Sequence, residues 1–286
     1  GKKVVYYGHS TMEDFKNSFI GSNLAAPLFK KWIRHCYRQG DVVITPTEYS
    51  RKLLMKYDLH REIYALTNGV DTEFFHKTEQ AGGRFRIFFH LPVDKKVVIS
   101  AGHLIHRKGI EDFLEMAKRM PDIIFLWFGG GNNALIPAEI KKAVAEKPEN
   151  VIFAGFQPSG ILRDAYCGAD AFAFFSYEET EGIVVLEALA CEVPVILRDI
   201  PVYKGWIEDQ VQAYKVHNLE EYKNQLMHIF ENNQEQLLKN ARELAENRSI
   251  KAAGERLKVV YRLADTFVVK SSHREFFHRS VRKQKI

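Results

Sequence analysis

Along residues 97–200, short runs of β-branched and aromatic residues alternate with amphipathic stretches of helical period. That is the pattern of a parallel sheet with helical crossovers. It predicts strands over 97–102, 123–128, 151–156, 171–175 and 194–197, with helices over 109–118, 137–145, 159–167 and 182–190. A shorter stretch of the same kind precedes it, with strands over 4–7, 42–45 and 63–66 and helices over 27–38 and 49–56. Three strands are too few for an independent α/β domain, so residues 1–83 read as the back half of a first Rossmann-like unit. The segment from Glu79 to Arg84, Glu-Gln-Ala-Gly-Gly-Arg, reads as the linker. Beyond residue 216 the chain is expected to be helical to about residue 267.

Length fits this division, since 286 residues make about two domains. With 46% hydrophobic and 27% charged residues the composition is that of a globular protein. No apolar run reaches the roughly 18 residues a spanning helix needs. Three cysteines, an odd number, fit neither a disulfide framework nor a zinc knuckle, which points to a reducing, cytoplasmic compartment. The chain opens on Gly1 rather than Met and enters a strand at once, as expected of the later part of a longer protein.

Charge matters through its location. Residues 268–286 hold six basic residues against Glu275 alone, which equals the whole chain's formal charge of +5. This basic tail is either a solvated terminus or a contact for an anionic partner, a membrane surface or nucleic acid. Phe267, Phe276 and Phe277 interleave with the cations and favour a membrane interface over a plain solvated tail. The helix predicted at 27–38 repeats the theme, with Lys30, Lys31, Arg34 and Arg38 and no acid, and with Leu28, Trp32 and Cys36 four apart.

The strongest chemical signal is Ser176-Tyr177-Glu178-Glu179-Thr180-Glu181-Gly182, which leaves the strand at 171–175 and opens the next helix. In open α/β sheets ligands bind outside the carboxyl ends of strands. Gly182 lets a ligand approach the backbone, and the exposed N–H groups of a helix start suit phosphate. Carboxylates would repel phosphate but accept hydrogen bonds from sugar hydroxyls. First-turn acids that merely stabilise the helix dipole account for one or two of these residues. They do not account for Glu187, set inside an otherwise apolar helix, where burial is costly without a hydrogen bond. Arg107 and Lys108, between a strand and a helix, have the chemistry that neutralises a leaving diphosphate. A solvated loop is the plainer alternative for that pair. His9 follows the strand at 4–7, and a lone histidine there is as readily structural.

The pair Glu179-x7-Glu187 within EETEGIVVLEALA resembles the paired-glutamate signature of glycosyltransferase family 4, retaining enzymes of the GT-B fold. Further landmarks stand in the family's order: Asn68-Gly69-Val70-Asp71, Gly102 with Arg107-Lys108-Gly109, and Phe128-Gly129-Gly130-Gly131. The resemblance implies an α/β fold of two Rossmann-like domains facing a cleft, the first incomplete here. It assigns 84–249 to the nucleotide-sugar domain and 250–267 to a helix crossing back to the first domain. It further implies that Glu187 holds the donor ribose, Glu179 the sugar hydroxyls, and Lys108 with Arg107 the diphosphate. Gly129, Gly130, Gly182, Ile183 and Val184 complete the implied donor site, with His9 beside the donor sugar. His9, Glu179 and Lys108 form the implied catalytic set.

His9-Ser10-Thr11-x-Glu13-Asp14-Phe15 and Arg198-Asp199-Ile200-Pro201 are most similar to bacterial enzymes that glycosylate diacylglycerol or its monoglycosyl derivative. The implied reaction moves a hexose, glucose or galactose, from a nucleoside-diphosphate sugar such as a UDP-sugar to that lipid with retention. The implied partners are that donor, the lipid acceptor and an anionic membrane surface, at the inner face of the cell membrane. No cofactor, no metal and no nucleic acid are expected. Two departures stand out: Gly102-His103 where the family often has Gly-Arg, and Glu179-Thr180-Glu181-Gly182 where it often has Glu-Gly-Phe-Gly. The second departure is expected to bear on donor-sugar preference.

Rival readings are a soluble or polysaccharide acceptor, a non-catalytic nucleotide-sugar-binding protein, and a dehydrogenase. The last rests on Gly129-x-Gly131-x-x-Ala134, which follows the domain's second strand rather than its first, and no acid ends the next strand.

Overall fold

The computed structural model describes residues 2–16, 18, 21–131 and 136–266. The basic tail at 268–286, Phe267 and Ala134 lie outside the described residues. Two parallel sheets are present. The first has the order β1 (Val5–Tyr7), β2 (Val42–Thr45), β3 (Glu62–Ala65), and carries α1 (Met12–Phe15), α2 (Ser22–Tyr37) and α3 (Glu48–Met55). The second has six strands: β4 (Val97–Ala101), β5 (Ile124–Phe128), β6 (Val151–Gly155), β7 (Ala171–Phe174), β8 (Val195–Arg198) and β9 (Tyr214–Val216). Their spatial order is β6-β5-β4-β7-β8-β9, all parallel.

Strands that read as continuous apolar runs are covered on both faces, and the side-chain alternation shows how. Val97, Ile99, Leu126 and Phe128 join one core cluster, while Val98, Phe125 and Trp127 join the other. Helices α5 (Ile110–Arg119), α6 (Ala138–Ala145) and α9 (Leu219–Glu231) supply the second cluster. Helices α7 (Ser159–Gly168), α8 (Ile183–Ala190) and α10 (Glu235–Asn247) supply the first. The chain returns through α11 (Ile250–Thr266), whose Val260 and Ala264 pack on Val42, Ile44 and Leu66 of the first sheet. The strand order reverses between β4 and β7, which opens a crevice at their carboxyl ends.

The expected linker at Glu79–Arg84 is corrected by the structure. α4 (Ala81–Phe88) begins inside it and packs on α7. Of the two glycines that suggest a flexible joint, Gly82 is there for close approach instead: a Cβ on Gly168 would lie 2.7 Å from the Gly82 Cα, whereas one on Gly83 would meet nothing within 4 Å. The sequence reading also passes over α1 and β9. Four-residue and three-residue elements are too short to show a period.

α2 differs from an ordinary core helix. Ala26, Ile33 and Tyr37 form its buried side, leaving Leu24, Leu28 and Trp32 exposed at 88%, 68% and 64%. A row of large apolar side chains four apart thus faces solvent beside Lys30, Lys31 and Arg34.

Candidate active site

A cavity of about 650 Å³ opens at the crevice beside β4 and β7. Its walls are the turn Gly102-His103 after β4, Gly129–Gly131 after β5, Phe156 and Gln157 after β6, and the start of α8. The turns must be tight for these loops to converge. Gly129 has φ +101°, and a Cβ there would sit 2.4 Å from the carbonyl oxygen of Gly102. Any side chain at this position would push two walls apart. Gly182 caps α8 in the left-handed region, so the free N–H groups of the first turn face the cavity at Ile183 and Val184.

Of the residues singled out in the sequence, Lys108, Gly129, Gly130, Glu179, Gly182, Ile183 and Val184 line this one cavity. Lys108 Nζ and Glu179 Oε1 form an ion pair, both nearly buried, with the ammonium 5.6 Å from the centre of the Phe174 ring. A buried cation and a buried carboxylate beside a helix start give the cavity both signs of charge within one small volume. Such a place suits an anion that also carries hydroxyl groups.

Glu187 stands one turn inside α8 and accepts a hydrogen bond from Tyr166 Oη at 3.1 Å. Desolvation pushes its carboxyl up to about 7, with the Tyr166 bond pulling the other way. His103, at the first departure from the family pattern, lines the cavity and bonds the Gly130 carbonyl through Nδ1 at 3.0 Å.

Glu187 is not in the cavity wall, and two further candidates lie elsewhere. Arg107 is not in the cavity wall. Its guanidinium pairs with Asp14 at 2.9 Å and donates to Ser18 Oγ at 3.2 Å and to the Glu178 carbonyl at 2.6 Å. It ties the two halves of the chain together and approaches Glu179 only to 3.9 Å. Burial raises the Asp14 carboxyl, and the Arg107 charge partly offsets this. His9 is exposed at the end of β1 and stacks on Tyr7, ring centres 4.6 Å apart. Partial desolvation lowers its pKa.

The acids at 178–181 separate by role. Glu178 accepts a hydrogen bond from Tyr49 Oη at 2.8 Å. Glu181, 1% exposed, accepts from Thr67 Oγ1, from the Asn68 backbone N–H at 3.0 Å and from Asn68 Nδ2 at 2.7 Å, with Arg248 at 3.5 Å. Thr180 and Glu181, at the second departure from the family pattern, both line the cavity, with the Glu181 carboxylate bonded within the chain. Arg198, an element of the lipid-enzyme resemblance, braces the loop: it pairs with Asp112 and stacks 3.9 Å over Tyr177.

Residues the sequence reading missed include Phe156, 91% exposed at the cavity mouth, and Tyr203, fully buried behind Gly182 with a hydroxyl that has no hydrogen-bond partner among the described residues. Neither lies in a recognisable motif. Asn68 stands in a quoted landmark, but its bond to Glu181 spans 113 positions of chain.

A doubly wound sheet with its cavity at the switch point, facing a second α/β half, defines a GT-B glycosyltransferase. Residues 84–251 match the family model "Glycosyl transferases group 1", and residues 1–74 match "Glycosyltransferase Family 4". The chain belongs to this glycosyltransferase family. It is 39% identical over 259 residues to processive diacylglycerol alpha-glucosyltransferase of Acholeplasma laidlawii, covering 90% of this chain and 78% of that protein. With alpha-galactosylglucosyldiacylglycerol synthase of Streptococcus pneumoniae it shares 29% identity over 223 residues, 74% of this chain and 58% of that protein. The chain thus spans less than two thirds of this second relative's length.

Among solved structures, Anabaena HepE in complex with UDP and glucose superposes with TM-score 0.76 at 17% identity, over 91% of this chain and 71% of that one. Sucrose-phosphate synthase of Thermosynechococcus elongatus superposes with TM-score 0.77 at 21% identity, over 91% and 67%. At these identities the two structures establish the shared fold.

Proposed function

We propose that this chain transfers a hexosyl group, glucose or galactose, from a UDP-sugar to diacylglycerol or monoglycosyl-diacylglycerol, retaining the anomeric configuration. The observation that carries the reading is the Lys108–Glu179 pair beside the α8 N-terminus, in a chain whose relatives bear the names of diacylglycerol glycosyltransferases. In this reading the diphosphate takes the place at Lys108 and the N–H groups of Ile183 and Val184. Glu179 then turns to the sugar hydroxyls, and Glu187 to the ribose. The sugar C1–O bond to the diphosphate breaks as the lipid hydroxyl oxygen bonds C1 from the same face, and the hydroxyl proton passes to the departing diphosphate. Lys108 and the helix start stabilise the charge that grows there, without a metal. In this reading His9 comes from the first half of the chain to stand beside the donor sugar, and Arg107 holds the two halves in register.

The test is a matrix of donors and acceptors in mixed micelles: UDP-glucose, UDP-galactose and GDP-mannose against diacylglycerol, monoglucosyl-diacylglycerol and a soluble glycoside. An α-linked glycolipid formed from a UDP-sugar supports the reading. Transfer to the soluble glycoside alone sinks the lipid acceptor, and nucleotide binding without any turnover sinks the enzyme.

Among the described residues no helix is long and apolar enough to cross a membrane. A lipid acceptor must therefore be met from the surface, and in our reading this happens at the inner, anionic face of the cell membrane. The exposed Leu24, Leu28 and Trp32 with Lys30, Lys31 and Arg34 give α2 the chemistry for it. Each cation near an anionic surface contributes about 1 kcal/mol, so replacing Lys30, Lys31, Arg34 and Arg38 by alanine is expected to weaken vesicle binding by about two orders of magnitude or more. Co-sedimentation with vesicles of rising phosphatidylglycerol content measures this. Binding that ignores lipid charge, or that the quadruple variant and Trp32→Ala leave unchanged, removes α2 from the interface.

A further inference from the structure

The chain passes between its two halves twice, once after β3 and once between α10 and α11. The two crossings touch. Val70 and Ser249 form an isolated parallel bridge, in which the Val70 N–H donates to Arg248 O and the Ile250 N–H to Val70 O, both at 3.0 Å. The backbone of Ser249 and Ile250 also lies against Gly69 with no room for a side chain. This is the narrow joint about which the halves are placed.

Glu181 reaches that joint from the donor loop. One oxygen of its carboxylate takes the Thr67 hydroxyl, and the other takes the backbone N–H and side-chain amide of Asn68. Arg248, 3.5 Å away, is held in place by stacking 4.1 Å over Trp206. Thr67 and Asn68 belong to the outgoing crossing and Arg248 to the returning one, so one buried carboxylate binds both. Two positions earlier, Glu179 faces the cavity and Lys108. Between them the Thr180 carbonyl accepts hydrogen bonds from Thr47 Oγ1 at 2.8 Å and Ser50 Oγ at 3.1 Å, again from the first half. Glu178, Thr180 and Glu181 are thus each held by the opposite half, while Glu179 pairs with Lys108 in a cavity wall that Thr180 and Glu181 also line.

The geometry points to Glu181 as a positioning residue: it pins the inter-domain joint to the donor loop, so that the placement of the two halves sets where the Glu179 carboxylate stands. This rests on the donor-transfer reading for the role of Glu179, but the pin itself is independent of which sugar or acceptor is used. A carboxylate is required chemically. Thr67, Asn68 and Arg248 all present donors, and an amide would turn its own donor toward one of them. Glutamine keeps the shape and breaks the pin.

The experiment is Glu181→Gln, with Thr67→Val and the double variant, each examined by calorimetric titration with UDP, by small-angle scattering and by turnover. UDP affinity is expected to stay within about threefold of wild type, since Lys108, Glu187 and the α8 start are untouched and glutamine keeps the size of the Glu181 side chain in the cavity wall. The radius of gyration is expected to rise. Turnover is expected to fall about tenfold or more, because misplacing a positioned group by about 1 Å has effects of that size. A larger share of the consumed donor should be hydrolysed rather than transferred. The double variant should be no worse than Glu181→Gln, since both changes remove one network. Additive losses, UDP affinity falling in step with turnover, or a radius of gyration unchanged from wild type would each overturn the pin. If the wild-type protein turns over no tested acceptor, the donor-transfer reading fails, while scattering and UDP affinity still decide the pin.

Discussion

Replacing Lys108 by alanine is expected to lower turnover about a hundredfold, the usual effect of removing one preorganised charge contact from a developing anion. The magnitude follows from where the ammonium sits. The side chain is 13% exposed, it pairs with a Glu179 carboxylate that is 7% exposed, and it lies over the Phe174 ring. Water screens it little there, so its field on a departing diphosphate is strong. Donor KM is expected to change less than kcat, because the charge on the leaving oxygen grows only as the C1–O bond breaks. Arg107→Ala provides the contrast. Its guanidinium is spent on Asp14, Ser18 and the Glu178 carbonyl. Its loss should act through the register of the two halves, with a rise in radius of gyration that Lys108→Ala does not show. Steady-state kinetics with a UDP-sugar, together with scattering on both variants, settle the matter. A Lys108→Ala enzyme with wild-type kcat removes Lys108 from the chemistry.

The contrast between these two neighbours also shows what a sequence can disclose. Both are cations in the loop after β4, and local pattern alone gives them one role. The chain sends Lys108 into the cavity and Arg107 out to α1 because residues 106–108 form a turn of 3₁₀ helix, which places adjacent side chains about 120° apart. The core was legible for a similar reason run in reverse. Runs such as Val97–Ala101 and Ile124–Phe128 are apolar on both faces, which occurs only in a doubly covered parallel sheet. Glu179 and Glu187 were legible because an acid inside an apolar helix and an acid at a strand end each need a reason. Glu181 was visible as an acid but not as a hinge contact, since its partners lie 113 and 114 positions back along the chain. Gly82 and Gly83 read as a loose joint because glycine permits both flexibility and close packing. For Gly82 the neighbour, Gly168, decides between them, while nothing stands within 4 Å of a Cβ on Gly83.

UDP affinity is expected to rise about tenfold between pH 6 and pH 8, because the ionised fraction of a carboxyl titrating near 7 rises by that factor over the interval. The group is Glu187, whose carboxyl is pushed up to about 7 by burial in α8. A ribose diol presents two donors, and a carboxylate accepts both, whereas the protonated acid offers a donor of its own. Binding of UDP near pH 7 should therefore release a proton, visible as a dependence of the calorimetric enthalpy on the ionisation enthalpy of the buffer. Glu187→Gln should flatten the pH dependence and abolish the proton release. Glu187→Ala should weaken UDP binding by about a hundredfold, the value of two hydrogen bonds to a charged group at roughly 1.5 kcal/mol each. Stability should move the opposite way. In the folded state the carboxyl holds a proton that the unfolded chain, at its ordinary 4.5, has released. Stability from this group therefore declines as pH rises from about 4.5 to about 7, and Glu187→Gln should remove that decline from the urea-midpoint profile. If UDP affinity in the wild type is flat from pH 6 to pH 8 and Glu187→Ala binds as well as wild type, Glu187 does not hold the ribose.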